Sequence, residues 1–402
     1  MIQYYKKTLI DLFRTLLCIN HQPFKKHCEC LAIQEQLIRK LCYIENRIRS
    51  KKSYLKESKA FFASKPARSI KKDEVKRIRQ KIHQTQVIIK EYQLLIKMFR
   101  AVGDGLAFTY LNKYDIKPMA FKQSPGFISG KKGLRFERKI LRLLFKHGEI
   151  AIMNDLTNCL RYADMTVVTH GVPKLIEAKK SYSDSPRVRR QLKDSQDMQQ
   201  YLFNDVTAEL FGPNMKVERS ESHAEERDNI ERLNMLINKT LSKGEVFKKM
   251  EDGLYYFAAI ADYGYEHFQN RIAKMKRPPM VLFLNRFKFE NIGYYPFTLS
   301  IHNPEALFDF YCGNIVIIII ADTQIISNKF SNYGLKVKFT HGEYVMSITR
   351  RDSARRKGGL TLNVSMHFLG RLAFEFVSLE WFIDEIVARF NNLSKKDVLA
   401  NI

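Results

Sequence analysis

The chain has few cysteines and no long apolar segment. Its 402 residues include six cysteines without paired CxxC motifs, which argues against a disulfide framework or a zinc-knuckle domain. The most apolar run, Ile315 to Ala321, is far shorter than the roughly 20 residues that a helix needs to cross a bilayer, so no membrane span is expected. Four charged side chains interrupt residues 1–20, so we expect no secretory leader, reduced thiols and a cytoplasmic location.

Acidic residues are also scarce relative to basic ones. The sequence has 42 Asp and Glu against 68 Lys and Arg, which gives a formal net charge of +26 and a pI near 9.7. Such an excess favours a nucleic-acid partner over an acidic small molecule. Residues 1–100 contain 24 of the basic and 8 of the acidic side chains, so the positive charge is concentrated in the N-terminal region.

Apolar residues at spacings of three and four predict two long helices in this basic region. They are Leu37, Leu41, Ile44, Ile48 and Leu55 in the first series and Val75, Ile78, Ile82, Ile89, Tyr92, Ile96 and Phe99 in the second. A helical hairpin or short coiled coil is the simplest interpretation. It could clamp a duplex, form a homodimer or bind a partner protein; a solvated helical surface is the alternative.

The segment from 162 to 181 is typical of a β-hairpin. A two-residue turn at His170 and Gly171 places Asp164 directly opposite Glu177, with Cβ atoms roughly 5 Å apart. Lys179 shares the face of Glu177. Facing carboxylates repel unless a cation lies between them, and Mg²⁺ or Mn²⁺ prefers oxygen ligands. The pattern therefore predicts a divalent-metal site; a solvated amphipathic hairpin is the alternative.

Helices are predicted on both sides of this hairpin. Upstream, an apolar stripe over residues 134–145 precedes the helix stop Gly148 and places Glu137 in the first turns. Downstream, Ser185 and Pro186 mark the start of a Gln-rich helix. A basic edge that would suit phosphates follows in the first turns of that helix, at Arg187, Arg189 and Arg190.

The order of these features resembles the PD-(D/E)xK nuclease superfamily, in particular its RecB-like branch. The GxxxE, D, ExK and QxxxY motifs of that branch correspond to Gly133 to Glu137, Asp164, Glu177 to Lys179, and Gln196 to Gln200. The resemblance implies a restriction-endonuclease-like fold, in which helices flank a central mixed sheet. It also implies metal-dependent hydrolysis of phosphodiesters in nucleic acid.

The resemblance assigns a role to each matching residue. Glu137, Asp164 and Glu177 would bind the metal, Ala178 would contribute its carbonyl oxygen, and Lys179 would position the attacking water. The Gln-rich helix, with Gln196 and Gln200, would contact nucleic acid together with the basic edge.

Two departures from the motifs and one competing ligand are visible. Ala163 stands at the position of the superfamily's proline, and the last motif ends in Gln200 with Tyr201 one place later. Asp155 also precedes the ExK motif at a permissible distance. Asp164 is preferred as the metal ligand because the hairpin register places it opposite Glu177.

The patterns predict an α/β (α+β) protein in three segments. A basic helical arm would span 1–115 and the nuclease core 116–264, with Phe257 to Asp262 as an additional core strand and a polar insertion near 213–252 that leads into a helix. Residues 265–402 alternate apolar and polar side chains, which predicts an α/β region that either stands alone or packs on the core sheet.

These expectations define a function. The chain is expected to be a Mg²⁺-dependent deoxyribonuclease, with DNA favoured over RNA, that serves in defence against foreign DNA or in repair. An RNase on the same fold is one alternative. A non-catalytic nucleic-acid-binding or assembly protein that acts through its helical arm is another.

Overall fold

Helices dominate the first 120 residues of the computed structural model. They are α1 (Lys6–His21), α2 (His27–Ala63), α3 (Lys72–Tyr110) and α4 (Lys113–Met119). α2 and α3 pack against each other, which confirms the predicted helical pair. Their seam is buried from Leu37 to Ile48 and from Ile89 to Phe99, whereas Leu55 and Val75 are only half-buried, so the part of the pair nearest the chain reversal adds little to the core.

The chain divides into two compact units, Met1–Arg219 and Ser220–Ile402. The structure describes most of the residues in both. The described residues are 1–64, 71–122, 126–179, 185–207, 210, 217–219, 222–261, 265–290, 292–340, 342, 344–350, 360–393 and 399–401. The division differs from the three segments expected, because the N-terminal helices belong to the same unit as the residues after them. α2 packs against the helix at Leu134–Lys146, and α2 and α3 both contact the turn at Asn154–Leu156.

A small sheet completes the first unit. Helix α5 (Leu134–Lys146) leads into β1 (Ala151–Met153), β2 (Met165–Val167) and β3 (Lys174–Ile176), and α6 (Pro186–Asn204) follows. Two further short strands, β4 (Val206–Thr207) and β5 (Val217–Glu218), pair with each other.

The order β1-β2-β3 is antiparallel throughout. The expectation of a central mixed sheet here was therefore wrong: the three strands are consecutive in the chain, and short connections of this kind join antiparallel neighbours. The hairpin register was predicted correctly, since Met165 pairs with Ile176 and Val167 with Lys174. The helix start at Ser185 was also correct, because its side chain accepts a hydrogen bond from the backbone N–H of Val188.

The second unit contains two four-stranded sheets. The first has the order β6-β7-β9-β8, and the second has the order β10-β11-β12-β13, in which β12 and β13 are parallel. The strands are β6 (Glu245–Glu251), β7 (Leu254–Ile260), β8 (Met280–Phe283), β9 (Ile315–Ala321), β10 (Leu335–Phe339), β11 (Tyr344–Arg350), β12 (Thr361–Ser365) and β13 (Leu399–Asn401). The α/β character predicted for the C-terminal region is confirmed.

Eight helices accompany these strands among the described residues. They are α7 (Ile230–Lys243), α8 (Glu266–Ala273), α9 (Leu284–Phe287), α10 (Phe297–Ser300), α11 (Pro304–Cys312), α12 (Thr323–Ser331), α13 (Met366–Phe374) and α14 (Leu379–Asn392). Over the part of the chain that the structure describes, none of the helices combines the length and the apolar character needed to cross a membrane.

Two expectations for residues 213–264 were wrong. The strand predicted at Phe257 to Asp262 belongs to β7, which pairs with β6 and β9 of the second unit instead of extending the hairpin's sheet; Asp262 lies outside the described residues. The polar insertion does contain the expected helix, α7, but residues 245–251 form strand β6. The two consecutive lysines, Lys248 and Lys249, interrupt the alternation of apolar and polar residues from which a strand would be predicted. Residues 213–216 lie outside the described part of the chain.

Candidate active site

The predicted hairpin brings its three polar side chains together. The ammonium of Lys179 lies 2.7 Å from Glu177 Oε2 and 3.9 Å from Asp164 Oδ2. The backbone N–H of Ala178 donates to Asp164 Oδ2 at 2.8 Å, which holds this carboxylate against the opposite strand. The two carboxylates therefore face each other across the end of the hairpin with a cation beside them.

The local charges set the protonation of this group. Burial and the nearby carboxylate of Glu177 raise the pKa of Asp164. Burial favours a lower pKa for Lys179, but the hydrogen bond to Glu177 and the charges of the surrounding carboxylates outweigh it, so its pKa is raised. Lys179 therefore carries a full positive charge at neutral pH.

Glu137 lies close to this pair on the first turn of α5. Its side chain is 5% exposed, and Oε2 has no hydrogen-bond partner among the described residues. Burial, and then the charges of Asp164 and Asp155, raise the pKa of Glu137 to about 7. A buried carboxylate oxygen without a donor is the kind of atom that a cation would satisfy.

Gly133 explains how Glu137 fits there. This glycine is the N-cap of α5, and the Glu137 side chain folds back over it. A Cβ atom at position 133 would lie 2.7 Å from Glu137 Oε1, closer than real contacts of this kind. Because φ at Gly133 is −78°, the backbone itself would accept another residue. A side chain at position 133 would therefore displace the Glu137 carboxyl group from its present place, whereas glycine leaves room for it.

The competing carboxylate, Asp155, lies in the same cleft. It belongs to a 3₁₀ turn, Asn154–Leu156, and forms an ion pair with Lys131. The cleft has a volume of about 230 Å³, and its charged lining comprises Lys122, Lys131, Asp155, Arg161, Asp164 and Glu177. The structure therefore brings both candidate aspartates to one cleft, but Asp164 is the one next to Glu177.

The backbone before Asp164 has an unusual conformation. Ala163, at the position of the superfamily's proline, has φ of +60°, in the left-handed region. The Asn154 side chain donates to the carbonyl oxygen of Tyr162, and the Asn154 N–H donates to that of Asp164 at 3.0 Å. Proline is restricted to φ near −65°, so it could not occupy position 163 in this conformation. The left-handed backbone conformation at position 163 therefore explains why alanine stands there instead of proline.

Helix α6 contacts the hairpin through residues that sequence reasoning missed. Ser195 Oγ donates to Glu177 Oε1 at 3.0 Å, and Gln191 lines the cleft. Gln199 accepts from the N–H of Leu175 and donates to the carbonyl oxygen of Pro173. Gln191, Ser195 and Gln199 are four residues apart and share a helix face. The buried neighbours Met198 and Leu202 could have identified that face.

The glutamines assigned to the substrate lie elsewhere on α6. Gln196 and Gln200 are exposed, and the structure does not bring them to the carboxylates. The QxxxY motif was therefore matched one residue too late: Ser195 and Gln199 face the hairpin, whereas Gln196 and Gln200 do not. Arg189 and Arg190 are also exposed on the first turns of α6, while the side chain of Arg187 lies outside the described part of the structure.

The N-terminal helices support the cleft. Asp104 of α3 is half-buried and accepts hydrogen bonds from the N–H groups of Asn158 and Cys159; loss of hydration raises its pKa. Glu45 of α2 accepts from the N–H of Ser129 at 2.7 Å, and Arg100 of α3 donates to the carbonyl oxygen of Gly126 at 2.7 Å. These contacts fix the segments that carry Asp155, Lys131 and Arg161.

Gln34 of α2 closes the free edge of β1. Its side-chain amide donates to the carbonyl oxygen of Ala151 and accepts from the N–H of Met153, both at 2.9 Å. The contact reproduces the hydrogen bonds that a neighbouring strand would make. The basic arm is thus part of the scaffold that holds the hairpin.

The donor set suits a hard divalent cation. In the part of the chain that the structure describes, no group of three or more His, Cys, Asp or Glu side chains forms a ready-made metal cage. Mg²⁺ does not require one, since it keeps several waters and is usually held by one or two carboxylates together with substrate phosphate. The unpartnered oxygen of Glu137 and the opposed carboxylates of Asp164 and Glu177 fit that mode of binding.

Comparison of the chain with protein-family models, with curated proteins and with solved structures finds no match.

Proposed function

We propose that this protein is a metal-dependent nuclease with a reduced restriction-endonuclease-like core. One observation carries the proposal: Asp164 and Glu177 face each other across the hairpin end, with the Lys179 ammonium 2.7 Å from Glu177 and the buried Glu137 beside them. A purely structural ion pair does not require a third carboxyl group that is buried without a donor. The antiparallel three-stranded sheet would be a small version of the core of that fold.

Glu137, Asp164 and Glu177 would hold Mg²⁺ or Mn²⁺, with the carbonyl oxygen of Ala178 as a further ligand. The ion would supply Lewis-acid activation of the phosphodiester and a more acidic water. Because the pKa of Glu137 is about 7, its carboxyl group must lose a proton before it can serve as a ligand at neutral pH.

Lys179 would orient the attacking water. Its raised pKa keeps it as an ammonium group, so it can donate hydrogen bonds and stabilise negative charge, but it does not act as a general base. Glu177 is held by two donors, Lys179 and Ser195. Ser195 is a positioning residue, since it acts through the carboxylate.

Three cations of the cleft would receive the phosphate. They are Lys122, Lys131 and Arg161, which all line the cleft. The Lys122 ammonium also lies 4.6 Å from the centre of the Tyr162 ring. The exposed Arg189 and Arg190 extend the positive surface along α6. With the net charge of +26, this arrangement favours a polyanionic substrate, DNA in the first place, bound mainly through phosphates. A role in defence or repair in the cytoplasm is proposed from the resemblance and the sequence alone.

The test is cleavage of labelled plasmid, linear duplex, single-stranded DNA and RNA with Mg²⁺, Mn²⁺ or EDTA. Wild type is compared with Asp164→Ala and Lys179→Ala, and with Lys139→Ala and Glu149→Gln as exposed controls on and after α5. Cleavage that requires metal and is lost only in the first two variants supports the proposal. Cleavage that persists in both of them contradicts the site.

The same experiment separates the alternatives. An RNase on this fold would degrade only the RNA, because the metal chemistry is indifferent to the sugar and the 2′-hydroxyl decides recognition. A non-catalytic protein that binds nucleic acid or assembles through α2 and α3 would cut nothing. A loss of nucleic-acid binding in Lys179→Ala would support this alternative, since a catalytic lysine should lose cleavage while binding largely survives.

A further inference from the structure

The second unit has a cleft of its own, unrelated to the carboxylate site. Its volume is about 380 Å³, and it lies among β6, β7, α8 and α12. Phe247 and Tyr255, on the paired strands β6 and β7, line it with half-buried rings whose centres are 5.8 Å apart. Both rings pack with one side against the core that includes Phe257, so their positions are fixed.

Three cations line the same cleft. Arg271 belongs to α8, and Lys274 and Lys276 follow it; all three side chains are exposed. The Arg271 guanidinium lies 5.8 Å from the centre of the Phe247 ring. Among the described residues, neither Lys274 nor Lys276 forms an ion pair with a carboxylate.

One acid lines the cleft, and its charge has a local role. The Asp322 side chain caps α12 by accepting hydrogen bonds from the N–H groups of Gln324 at 2.9 Å and Ile325 at 3.1 Å. A carboxylate at a helix N-terminus is compensated by the positive end of the helix dipole. The three cations therefore leave the cleft with an excess of positive charge.

An amide pair stands on the α12 side of the cleft. Gln324 Nε2 donates to Asn328 Oδ1 at 2.9 Å, which orients both side chains. Each amide keeps further capacity, a carbonyl oxygen on Gln324 and an amide N–H₂ on Asn328. An acceptor and a donor side by side match the edges of nucleobases.

We propose that this cleft binds one nucleotide unit of a single-stranded nucleic acid, with the base against Phe247 and Tyr255 and the adjoining phosphates on Arg271, Lys274 and Lys276. Aromatic rings beside a positively charged groove are the combination by which proteins hold single strands without strong sequence preference. A duplex keeps its bases stacked inside and cannot offer a ring to this surface. The proposal stands apart from the nuclease site and requires no catalysis.

Binding is measured by fluorescence anisotropy in EDTA, which prevents cleavage. The probes are labelled oligothymidylate and oligouridylate of about 12 nucleotides, which suit a site of this kind, and a duplex of the same length. Oligothymidylate and oligouridylate distinguish a DNA from an RNA strand. We expect Phe247→Leu to weaken single-strand binding about tenfold and to leave duplex binding unchanged.

Two lysine pairs provide the matched comparison. Lys274→Gln with Lys276→Gln should weaken single-strand binding about tenfold, whereas Lys336→Gln with Lys338→Gln, also two exposed lysines two residues apart, should change it by less than about twofold. Equal losses in both double variants would show a diffuse electrostatic surface and overturn the proposal. So would an unchanged affinity in the first pair.

A measurement on the unmodified protein covers the case in which Phe247→Leu does not fold. Oligonucleotides that contain 5-iododeoxyuridine are photocrosslinked to the full chain, and the crosslinked peptide is identified by mass spectrometry. Crosslinks to Phe247 or Tyr255 support the proposal, and crosslinks confined to residues 1–219 overturn it. The crosslink should survive Lys179→Ala, so the result does not depend on whether the protein is a nuclease.

Discussion

Gln34 and Gln199 close opposite edges of the same three-stranded sheet with the same pair of hydrogen bonds. Gln34 of α2 donates to the carbonyl oxygen of Ala151 and accepts from the N–H of Met153, and Gln199 of α6 does the same at Pro173 and Leu175. Each side-chain amide takes the place of a fourth strand. A sheet this small therefore has no bare edge at these positions.

Loss of either glutamine should destabilise the first unit, and to different degrees. Gln34 is fully buried, so Gln34→Ala leaves a donor and an acceptor of β1 without water or protein partners and should cost about 3 kcal/mol of unfolding free energy. Gln199 is half-buried and water can replace it, so Gln199→Ala should cost about 1 kcal/mol. Urea unfolding measures both. Equal costs would mean that burial does not decide the difference.

Gly133→Ala should disable the site without unfolding the protein. The added Cβ would lie 2.7 Å from Glu137 Oε1 while the backbone accepts it, so the carboxyl group must move. We expect at least a tenfold loss of metal-dependent cleavage and a nearly unchanged melting temperature. The control is Gly171→Ala in the hairpin turn, where a Cβ would have no atom within 4 Å. If both variants behave like wild type, Glu137 is not a ligand.

Ala163→Pro should be much more harmful than its resemblance to the superfamily motif suggests. Proline cannot reach φ of +60°, so the turn before Asp164 must rearrange, at a cost of about 3 kcal/mol or more. Ala163→Gly relieves the left-handed strain but adds chain entropy, so it should change stability by less than about 1 kcal/mol. Thermal melting and cleavage assays compare the two. A stable, active proline variant would contradict the assigned backbone conformation.

Glu137 should make the metal-free protein less stable as pH rises. Its pKa is raised to about 7 in the folded state from an ordinary value of 4.5, so the unfolded chain releases the proton first. The unfolding free energy should therefore fall between about pH 4.5 and pH 7, by about 3 kcal/mol in total, and stay level above that window. Urea unfolding in EDTA across this range is the measurement. Glu137→Gln should remove this part of the pH dependence.

Ser195→Ala should weaken metal binding more than it weakens the fold. Its hydroxyl orients Glu177 at 3.0 Å, and loss of such a partner typically costs 10- to 100-fold in metal affinity, so we expect the Mg²⁺ concentration for half-maximal cleavage to rise by about tenfold. Cleavage at saturating Mg²⁺ should recover. Gln196→Ala and Gln200→Ala, exposed on the same helix, are the controls and should leave the Mg²⁺ dependence unchanged.

The hairpin and its site could be predicted because local rules determine them. A turn centred at residues 170–171 predicts the register that the strands have, although residues 168–173 connect them. The register determines which side chains meet, so Asp164, Glu177 and Lys179 could be placed together from spacing alone. The start of α6 followed from Ser185 and Pro186 in the same way. These features depend on residues that are close in the chain.

The remaining features depend on contacts between distant residues. The rotation of α6, which turns Ser195 inward and Gln196 outward, is set by packing against the hairpin. The three-stranded sheet ends where it does because Gln34 and Gln199 occupy the places of further strands. The conformation of Ala163 is held by Asn154, nine residues away. Periodicity does not encode such pairings.

The contacts between the N-terminal helices and the hairpin region also bear on how the chain acquires its structure. Gln34, Glu45 and Asp104 meet partners 117, 84 and 54 residues further along. During synthesis these helices emerge before residues 126–160, so the three polar side chains have none of these partners until that segment follows. We therefore expect a fragment that ends at residue 115 to be aggregation-prone rather than an autonomous domain, although its composition alone would suggest an independent basic arm.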